Sequence, residues 1–291
     1  MNTGNRYSLI FEKPLVKGVS AYDNFAWLQQ ELIRFEQRVI NIKIDWEGQL
    51  GRTYLFLIMC LFYLANQYNK MLHVHVSKKI YNYLNDMKFL EEPQLSVTPR
   101  GDLRFRLLSQ HEDTISMAMD IVENIPASLS TKLYEDMISR IGEMYNNARE
   151  HANAKHVLGC RYSKPGKKYC FACYDTGIGI VENVKEYHKN YGKSLTDKEA
   201  LAWALAPFNS TVKGRRIPRG QGLNLLIEKF ARTNRGKIRI CSGKVLYEYN
   251  GETDMARYMD LRNCFLGTLF EMDINAFDGK YGYQEDNYDN N

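Results

Sequence analysis

The chain has 291 residues, 44% of them hydrophobic and 25% charged, and it carries a formal net charge of +5. These values are typical of a soluble globular protein with a real core, and the modest charge does not indicate nucleic-acid binding. The longest apolar run, Tyr54 to Ala65, is far shorter than the roughly 20 residues of a membrane-spanning helix. We therefore expect no membrane contact and interpret the run as a buried helix.

Six cysteines are scattered along the chain, and no apolar signal segment precedes them. A cytoplasmic location with reduced thiols is therefore expected. Cys170 and Cys173 form a lone CxxC on an apparent strand, without the second pair that a structural zinc site needs. They are predicted to be small core residues.

The first third of the chain alternates strand and helix signals. VINIKID, from Val39 to Asp45, places isoleucines on one face and polar residues on the other, as in a half-buried strand. An apolar helix around residues 54–67, a short strand at LHVHV and a helix over KKIYNYLNDMKFL follow. This alternation predicts a small parallel α/β unit. Its pattern is similar to STAS domains, the sulfate-transporter and anti-sigma-antagonist fold.

A turn signal at PRGD indicates a boundary near Ser109. The predicted organisation is an α/β domain over residues 1–109, a second domain over 110–278 and a polar, frayed tail over 279–291. The second domain has a long helix from about Ser130 to Ala152, then strands at HVLGCRYS and KKYCFACYD. A helix at GLNLLIEKFAR and strands at KIRICSG, KVLYEY and GTLFEMDI come later. One long helix with mostly antiparallel strands predicts an α+β sandwich.

The long helix carries a polar edge beside its apolar stripe. Glu143, Asn147 and His151 recur every four residues, so they lie on one line along the helix. A carboxylate can accept a proton from water or a hydroxyl, and a carboxamide oxygen is a hard ligand for Mg²⁺. A merely solvated polar edge is the alternative that this helix alone leaves open.

Two glycine-containing segments follow the long helix. In YDTGIGI, the Asp175 carboxylate can accept a hydrogen bond from an exocyclic amine, while Gly177 and Gly179 let a flat ring lie against the backbone. A tight turn would give the same pattern. In RGQGLNLLIEKF, Gly220 and Gly222 open an apolar helix whose first N–H groups favour an anion. The basic residues just upstream make a candidate phosphate clamp: Lys213, Arg215, Arg216 and Arg219.

The order of these motifs, completed by a strand that contains Gly267 and Thr268, resembles the GHKL ATPase superfamily. That superfamily unites gyrase, a heat-shock chaperone, histidine kinases and the mismatch-repair protein MutL. The resemblance covers roughly residues 131–274, and NNAREHA is most similar to the version in histidine kinases and anti-sigma-factor serine kinases. It implies a Bergerat-type α/β sandwich that binds ATP and Mg²⁺.

The resemblance also implies a role for each matching residue. Asn147 would hold Mg²⁺ on the phosphates, Glu143 would be the general base, and Asp175 would bind the adenine amino group. Gly177 and Gly179 would lie beside the base because a nucleotide needs the backbone close. The remaining nucleotide contacts would come from His151, Ile180, Arg216, Arg219, Gly220, Gln221, Gly222, Leu223 and Thr268.

By the same resemblance, the segment Val181–Arg219 would be a mobile lid. Its TDKE, from Thr196 to Glu199, is a capping box, which predicts a short helix through ALAWALA.

Several reactions are compatible with these motifs. The first is slow ATP hydrolysis by a conformational switch that acts on a protein partner, with Glu143 as the water-activating carboxylate. The second is phosphorylation of a partner's serine or threonine, which a STAS-like unit would suit, although the N-terminal part shows no clear phosphoacceptor serine. A nucleotide sensor that does not hydrolyse ATP also stays open. The partner would be another protein or a second copy of this chain in a homodimer. A histidine kinase is disfavoured, because the gap between His111 and Asn147 is too short for a two-helix dimerisation hairpin.

Overall fold

The structure, a computed structural model, describes residues 7–11, 19–44, 52–76, 78, 81–82, 103–108, 113–123, 125, 128–150, 154–164, 168–211, 222–232, 235–275 and 280–281. These residues form a mixed α+β fold whose largest sheet is antiparallel, so the predicted class is confirmed at that level.

The N-terminal part contains a three-stranded parallel sheet. Strands β1 (Tyr7–Phe11), β2 (Val39–Ile44) and β3 (Met71–Val76) are adjacent in that order, and helices α1 (Val19–Arg34) and α2 (Arg52–Gln67) connect them. The predicted parallel arrangement is confirmed for β2, α2 and β3, whereas the sequence patterns do not predict β1 or α1. The helix predicted over KKIYNYLNDMKFL lies largely outside the described residues.

The larger sheet has five antiparallel strands in the order β4–β6–β7–β9–β8. These strands are β4 (Leu103–Leu108), β6 (Val157–Lys164), β7 (Lys168–Asp175), β8 (Lys237–Asn250) and β9 (Met255–Asn275). The two strands predicted at KIRICSG and KVLYEY are one strand, β8, whose register shifts around Gly243, and β9 begins well before the predicted GT strand. β4 precedes the proposed boundary at Ser109 yet pairs with β6, so this sheet includes part of the predicted first domain.

Helices cover one face of this sheet, which we call the inner face. They are α3 (Thr114–Glu123), α4 (Thr131–Glu150), α5 (Gly179–Lys189), α6 (Asp197–Leu205) and α7 (Gly222–Leu225), the last followed by π-helical turns over Leu226–Arg232. α4 is the long predicted helix, and its apolar stripe is buried. Ser130 caps it, because its hydroxyl accepts the Leu133 N–H at 3.3 Å.

Helices α1 and α2 cover the opposite, outer face of the same sheet. Neighbouring residues of a strand point to opposite faces, and Cys170 accordingly packs beneath α1 and α2 while Cys173 packs on the inner face. Both thiols are buried, which confirms their prediction as core residues and prevents the two from chelating one metal.

Two short strands close the fold. β10 (Lys280–Tyr281) pairs in parallel with β5 (Ser128–Leu129), so part of the segment predicted as a frayed tail is anchored beside the start of α4. Within the described parts of the chain, no helix has the length and apolar character to cross a membrane.

Candidate functional site

An open cavity lies between the inner face of the sheet and the helices α4, α5, α6 and α7. Its volume of about 150 Å³ is similar to that of engineered cavities that bind one benzene-sized ring. The wall is mainly apolar, with a few convergent polar groups, as is usual in small-molecule sites. Its apolar lining includes Met144, Ala148, Cys173, Ile180, Val184, Leu223, Ile240 and Phe270.

Asp175 and Thr268 form a polar pair in this wall. They face each other across the β7–β9 ladder, and the Thr268 hydroxyl hydrogen-bonds the carboxylate while it accepts the Ile180 N–H at 3.0 Å. The Gly177 N–H donates to Asp175 Oδ1 at 2.9 Å. Burial raises the pKa of Asp175 to about 7, against the opposing effect of these hydrogen bonds. The Thr268 backbone N–H is a third donor to this carboxylate, and because Asp175 lines the cavity, its carboxylate can also accept an N–H from a ligand.

Gly179 is required by the protein's own packing. Its φ is +81°, and a Cβ there would lie 2.5 Å from the Gly267 carbonyl oxygen and 2.6 Å from Ser242 Oγ. Ser242 also donates to the Gly267 carbonyl at 3.0 Å. We expected this glycine to allow close approach of a ligand to the backbone, but packing within the protein is sufficient to explain it. Gly179 does line the cavity.

We expect Gly179→Ala to lower the free energy of unfolding by roughly 2–4 kcal/mol, because it adds a steric clash to left-handed strain. Gly192→Ala is the matched control: its φ is +69° but a Cβ would meet nothing within 4 Å. It should cost about 1 kcal/mol. Urea unfolding of both variants measures the difference, and equal losses would show that the clash is relieved by movement of β9.

The α4 wall carries the predicted polar edge. Glu143 and Asn147 both line the cavity, one helical turn apart. Arg140 holds Glu143 in place, with its Nη1 3.2 Å from Oε2. The neighbouring Asn146 faces elsewhere, since its Oδ1 accepts hydrogen bonds from Thr114 and Arg149, both at 3.2 Å.

The segment predicted as a lid is mostly helical in its described part, which extends to Thr211. The capping box is confirmed: Thr196 Oγ1 accepts the Glu199 N–H at 3.2 Å, and Glu199 accepts the Thr196 N–H at 2.8 Å. Asp197 then ties α6 to its surroundings, through an ion pair with Lys185 of α5 and a 2.6 Å hydrogen bond from the Lys244 N–H of β8. The two helices of this segment, α5 and α6, are thus packed against the sheet.

Seven of the predicted site residues line one cavity: Glu143, Asn147, Asp175, Gly179, Ile180, Leu223 and Thr268. Gly177 is joined to them by its bond to Asp175, and Gly222 begins α7. The others lie outside the described residues, namely His151, Arg216, Arg219, Gly220 and Gln221, together with Lys213 and Arg215 of the candidate clamp.

Sequence reasoning missed six polar or aromatic residues of the wall: Asn183, Trp203, Asn209, Ser210, Thr211 and Phe270. Helical spacing from Gly179 does place Asn183 on the cavity side of α5. Trp203 is fixed by ring contacts with Tyr187 and His188, whose centroids lie 5.6 and 4.9 Å away. No motif indicates those contacts, because they join two helices.

A second polar cluster lies beneath α1 on the outer face. The Cys170 thiol and the carboxylates of Glu271 and Asp273 lie within 4.8 Å of one another. Arg239 forms ion pairs with Glu271 at 3.4 Å and Asp273 at 3.1 Å, and Tyr22 donates to Glu271 at 2.6 Å. Because Arg239 and Tyr22 already bind these carboxylates, the cluster is best explained as a structural network.

Scans against protein-family models and against curated proteins found no match to this chain. The cavity is therefore interpreted from its own geometry and from the motifs that line it.

Proposed function

We propose that this chain binds Mg·ATP in the cavity and hydrolyses it slowly, as a GHKL-type conformational switch that acts on a protein partner. The observation that carries the proposal is the assembly of residues from three separate motifs around one cavity: Asp175 and Thr268 on the sheet, and Glu143 and Asn147 on α4. An antiparallel sheet with helices on its inner face suits the Bergerat-type sandwich. The parallel β1–β3 sheet is compatible with a STAS-like unit, which stays a prediction.

The sheet end of the cavity suits an adenine ring. Adenine offers an exocyclic amine as a donor, and Asp175 offers a buried carboxylate as the acceptor. The apolar side chains of Val184, Ile240 and Phe270 would contact the faces of the ring. Guanine has a carbonyl oxygen where adenine has its amine, and that oxygen would face the carboxylate as a second acceptor.

The α4 end suits the phosphates and their metal. Mg²⁺ prefers oxygen ligands and usually binds through one or two protein groups plus phosphate oxygens, a role for the Asn147 carboxamide. Glu143 lies one turn away, where its carboxylate would orient or deprotonate an attacking water. Contacts from Arg216, Arg219, Gly220 and Gln221 to the phosphates remain predictions.

The experiment that tests this function uses purified protein, Mg²⁺ and ATP labelled at the γ-phosphate. Calorimetry measures binding, while free phosphate and protein-bound label are followed over time. Binding with release of free phosphate is the expected result. Label on this chain, or on a partner added with it, would replace hydrolysis by the serine/threonine kinase alternative. Binding without either signal would indicate a nucleotide sensor, and no binding would overturn the assignment of the cavity.

We expect Asn147→Ala to weaken Mg·ATP binding by roughly ten- to hundredfold and to remove the dependence of ATP affinity on Mg²⁺. The control is Asn146→Ala, which removes the same side chain from the preceding position and breaks the described contacts with Thr114 and Arg149 instead. Calorimetry with and without EDTA measures both effects. Unchanged Mg²⁺ dependence in Asn147→Ala would exclude this residue as the metal ligand.

A further inference from the structure

Helix α1 contacts the two site strands from behind. Gln29 of α1 is fully buried on the outer face of the sheet. Its Nε2 donates to the Tyr174 hydroxyl at 2.8 Å and to the Leu266 carbonyl at 3.0 Å, and its Oε1 accepts the Leu266 N–H at 3.0 Å. One side chain thus joins β7 to β9, and all its hydrogen-bonding groups are used.

The atoms that Gln29 holds are next to the polar pair of the cavity. Tyr174 precedes Asp175, and the strand alternation turns their side chains to opposite faces of the sheet. Leu266 precedes Gly267 and Thr268. At Gly267 the backbone has a φ of +77° and approaches β7 so closely that a Cβ would lie 1.9 Å from the Asp175 carbonyl oxygen. The spacing of Asp175 and Thr268 therefore depends on this stretch of β9.

Helix α2 holds the turn that follows Asp175. Gln67 at the end of α2 donates to the Thr176 carbonyl at 3.4 Å, and the Tyr63 ring packs against His156 with centroids 5.5 Å apart. The Thr176 N–H in turn donates to the His156 carbonyl oxygen, with 3.0 Å between the two atoms. The N-terminal helices thus contact the site strands and the turn without entering the cavity.

We infer that Gln29 is a positioning residue for base recognition, through which the N-terminal α/β unit sets the alignment of the Asp175 carboxylate and the Thr268 hydroxyl. The inference rests on the proposed function, since it assigns this unit a part in nucleotide binding. Loss of the Gln29 hydrogen bonds would let the Leu266–Gly267 backbone shift. The Asp175 carboxylate and the Thr268 hydroxyl would then no longer contact the same edge of the base. The preference for ATP over GTP should therefore decrease more than the stability of the fold.

The test compares Gln29→Leu with Gln30→Leu in the full-length protein. Gln30 is the neighbouring residue of α1 and also donates to a β9 carbonyl, that of Cys264 at 2.9 Å, but it does not touch Leu266 or Tyr174 in the contacts described. ATP and GTP dissociation constants are measured by calorimetry. The same titrations give the competent fraction, which is the fraction of protein molecules that can bind nucleotide. Thermal unfolding curves identify a temperature at which every variant is folded, and binding is measured at that temperature.

For Gln29→Leu we expect ATP affinity to fall about tenfold and the ATP-over-GTP ratio to fall with it, because the three hydrogen bonds of the Gln29 side chain are lost beside the site. Gln30→Leu should retain both values within about twofold. A purely structural role would lower the competent fraction and leave the ratio unchanged. If Gln29→Leu does not fold, Tyr174→Phe removes two bonds of the same network, the one from Gln29 and the one that the Tyr174 hydroxyl donates to the Leu266 carbonyl at 3.2 Å, and should lower the ratio in the same direction.

An unchanged ratio in folded Gln29→Leu, or in Tyr174→Phe where the first does not fold, would overturn the inference while the proposed function stands. Failure of the wild type to bind ATP would overturn the proposed function and the inference with it. The two failures are therefore distinguishable.

Discussion

The Asp175→Asn substitution should weaken ATP binding by about two orders of magnitude, because it replaces a charged acceptor by a neutral amide. If the amide oxygen keeps the Gly177 N–H, its NH₂ group faces the adenine amine, and two donors oppose each other. The same NH₂ group can donate to the carbonyl of guanine, so the preference for ATP over GTP should shrink or reverse. Competition between the two nucleotides measures this ratio.

The same substitution should stabilise the unliganded protein. Burial raises the folded-state pKa of Asp175 to about 7, above the ordinary value of about 3.9 in the unfolded chain. The folded state therefore binds the proton more tightly, and the stability from this group is fully present below the unfolded pKa and is lost as pH rises through the folded pKa. Asparagine does not ionise, so the variant should exceed wild type by roughly 1–3 kcal/mol at pH 8.

The pH dependence separates this explanation from a general change in packing. The stability difference between Asp175→Asn and wild type should grow between about pH 4 and pH 7 and level off above. Wild-type ATP affinity should fall as pH drops below about 7, since the protonated acid cannot accept the adenine amine in the same way, whereas the variant should lack this dependence. A stability difference that stays constant with pH would contradict a buried titrating carboxyl.

The sequence was most informative where local spacing decides the outcome. Glu143 and Asn147 fall on one helical line by periodicity alone, and the capping box of Thr196 and Glu199 requires contacts within only four residues. Gly179 lies in the cavity wall, but contacts within the protein are sufficient to explain it. Gly179 looks like a ligand-contact glycine until its neighbours Gly267 and Ser242 are known, and these come from distant strands.

Helix α1 shows why other parts could not be predicted. Its buried positions include Phe25 and Leu32 at helical spacing, but also Gln29, a residue type that normally indicates a solvent-facing position. Gln29 is buried because its amide bonds the backbone of Leu266, more than two hundred residues away. The raised pKa of Asp175 has the same origin, since it results from burial between elements that are far apart in the chain.

The Glu143→Gln substitution should reduce ATP hydrolysis by about two to four orders of magnitude while ATP affinity changes less than about threefold. Glutamine has nearly the same shape and can still accept the Arg140 hydrogen bond, but it cannot take a proton from water. A loss in the rate of turnover without a loss in binding is therefore the specific signature of a general base.

The matched control is Glu135→Gln, which removes an exposed carboxylate two helical turns earlier on α4 and should leave hydrolysis unchanged. Single-turnover release of γ-phosphate, measured with saturating protein, separates the chemical step from product release. Normal hydrolysis in Glu143→Gln would exclude this residue as the general base. Of the two α4 side chains that the proposal uses, Asn147 would then remain, as a ligand of the metal. Transfer of label to a hydroxyl of a partner, abolished by the same substitution, would keep Glu143 as the base and change only its substrate from water to that hydroxyl.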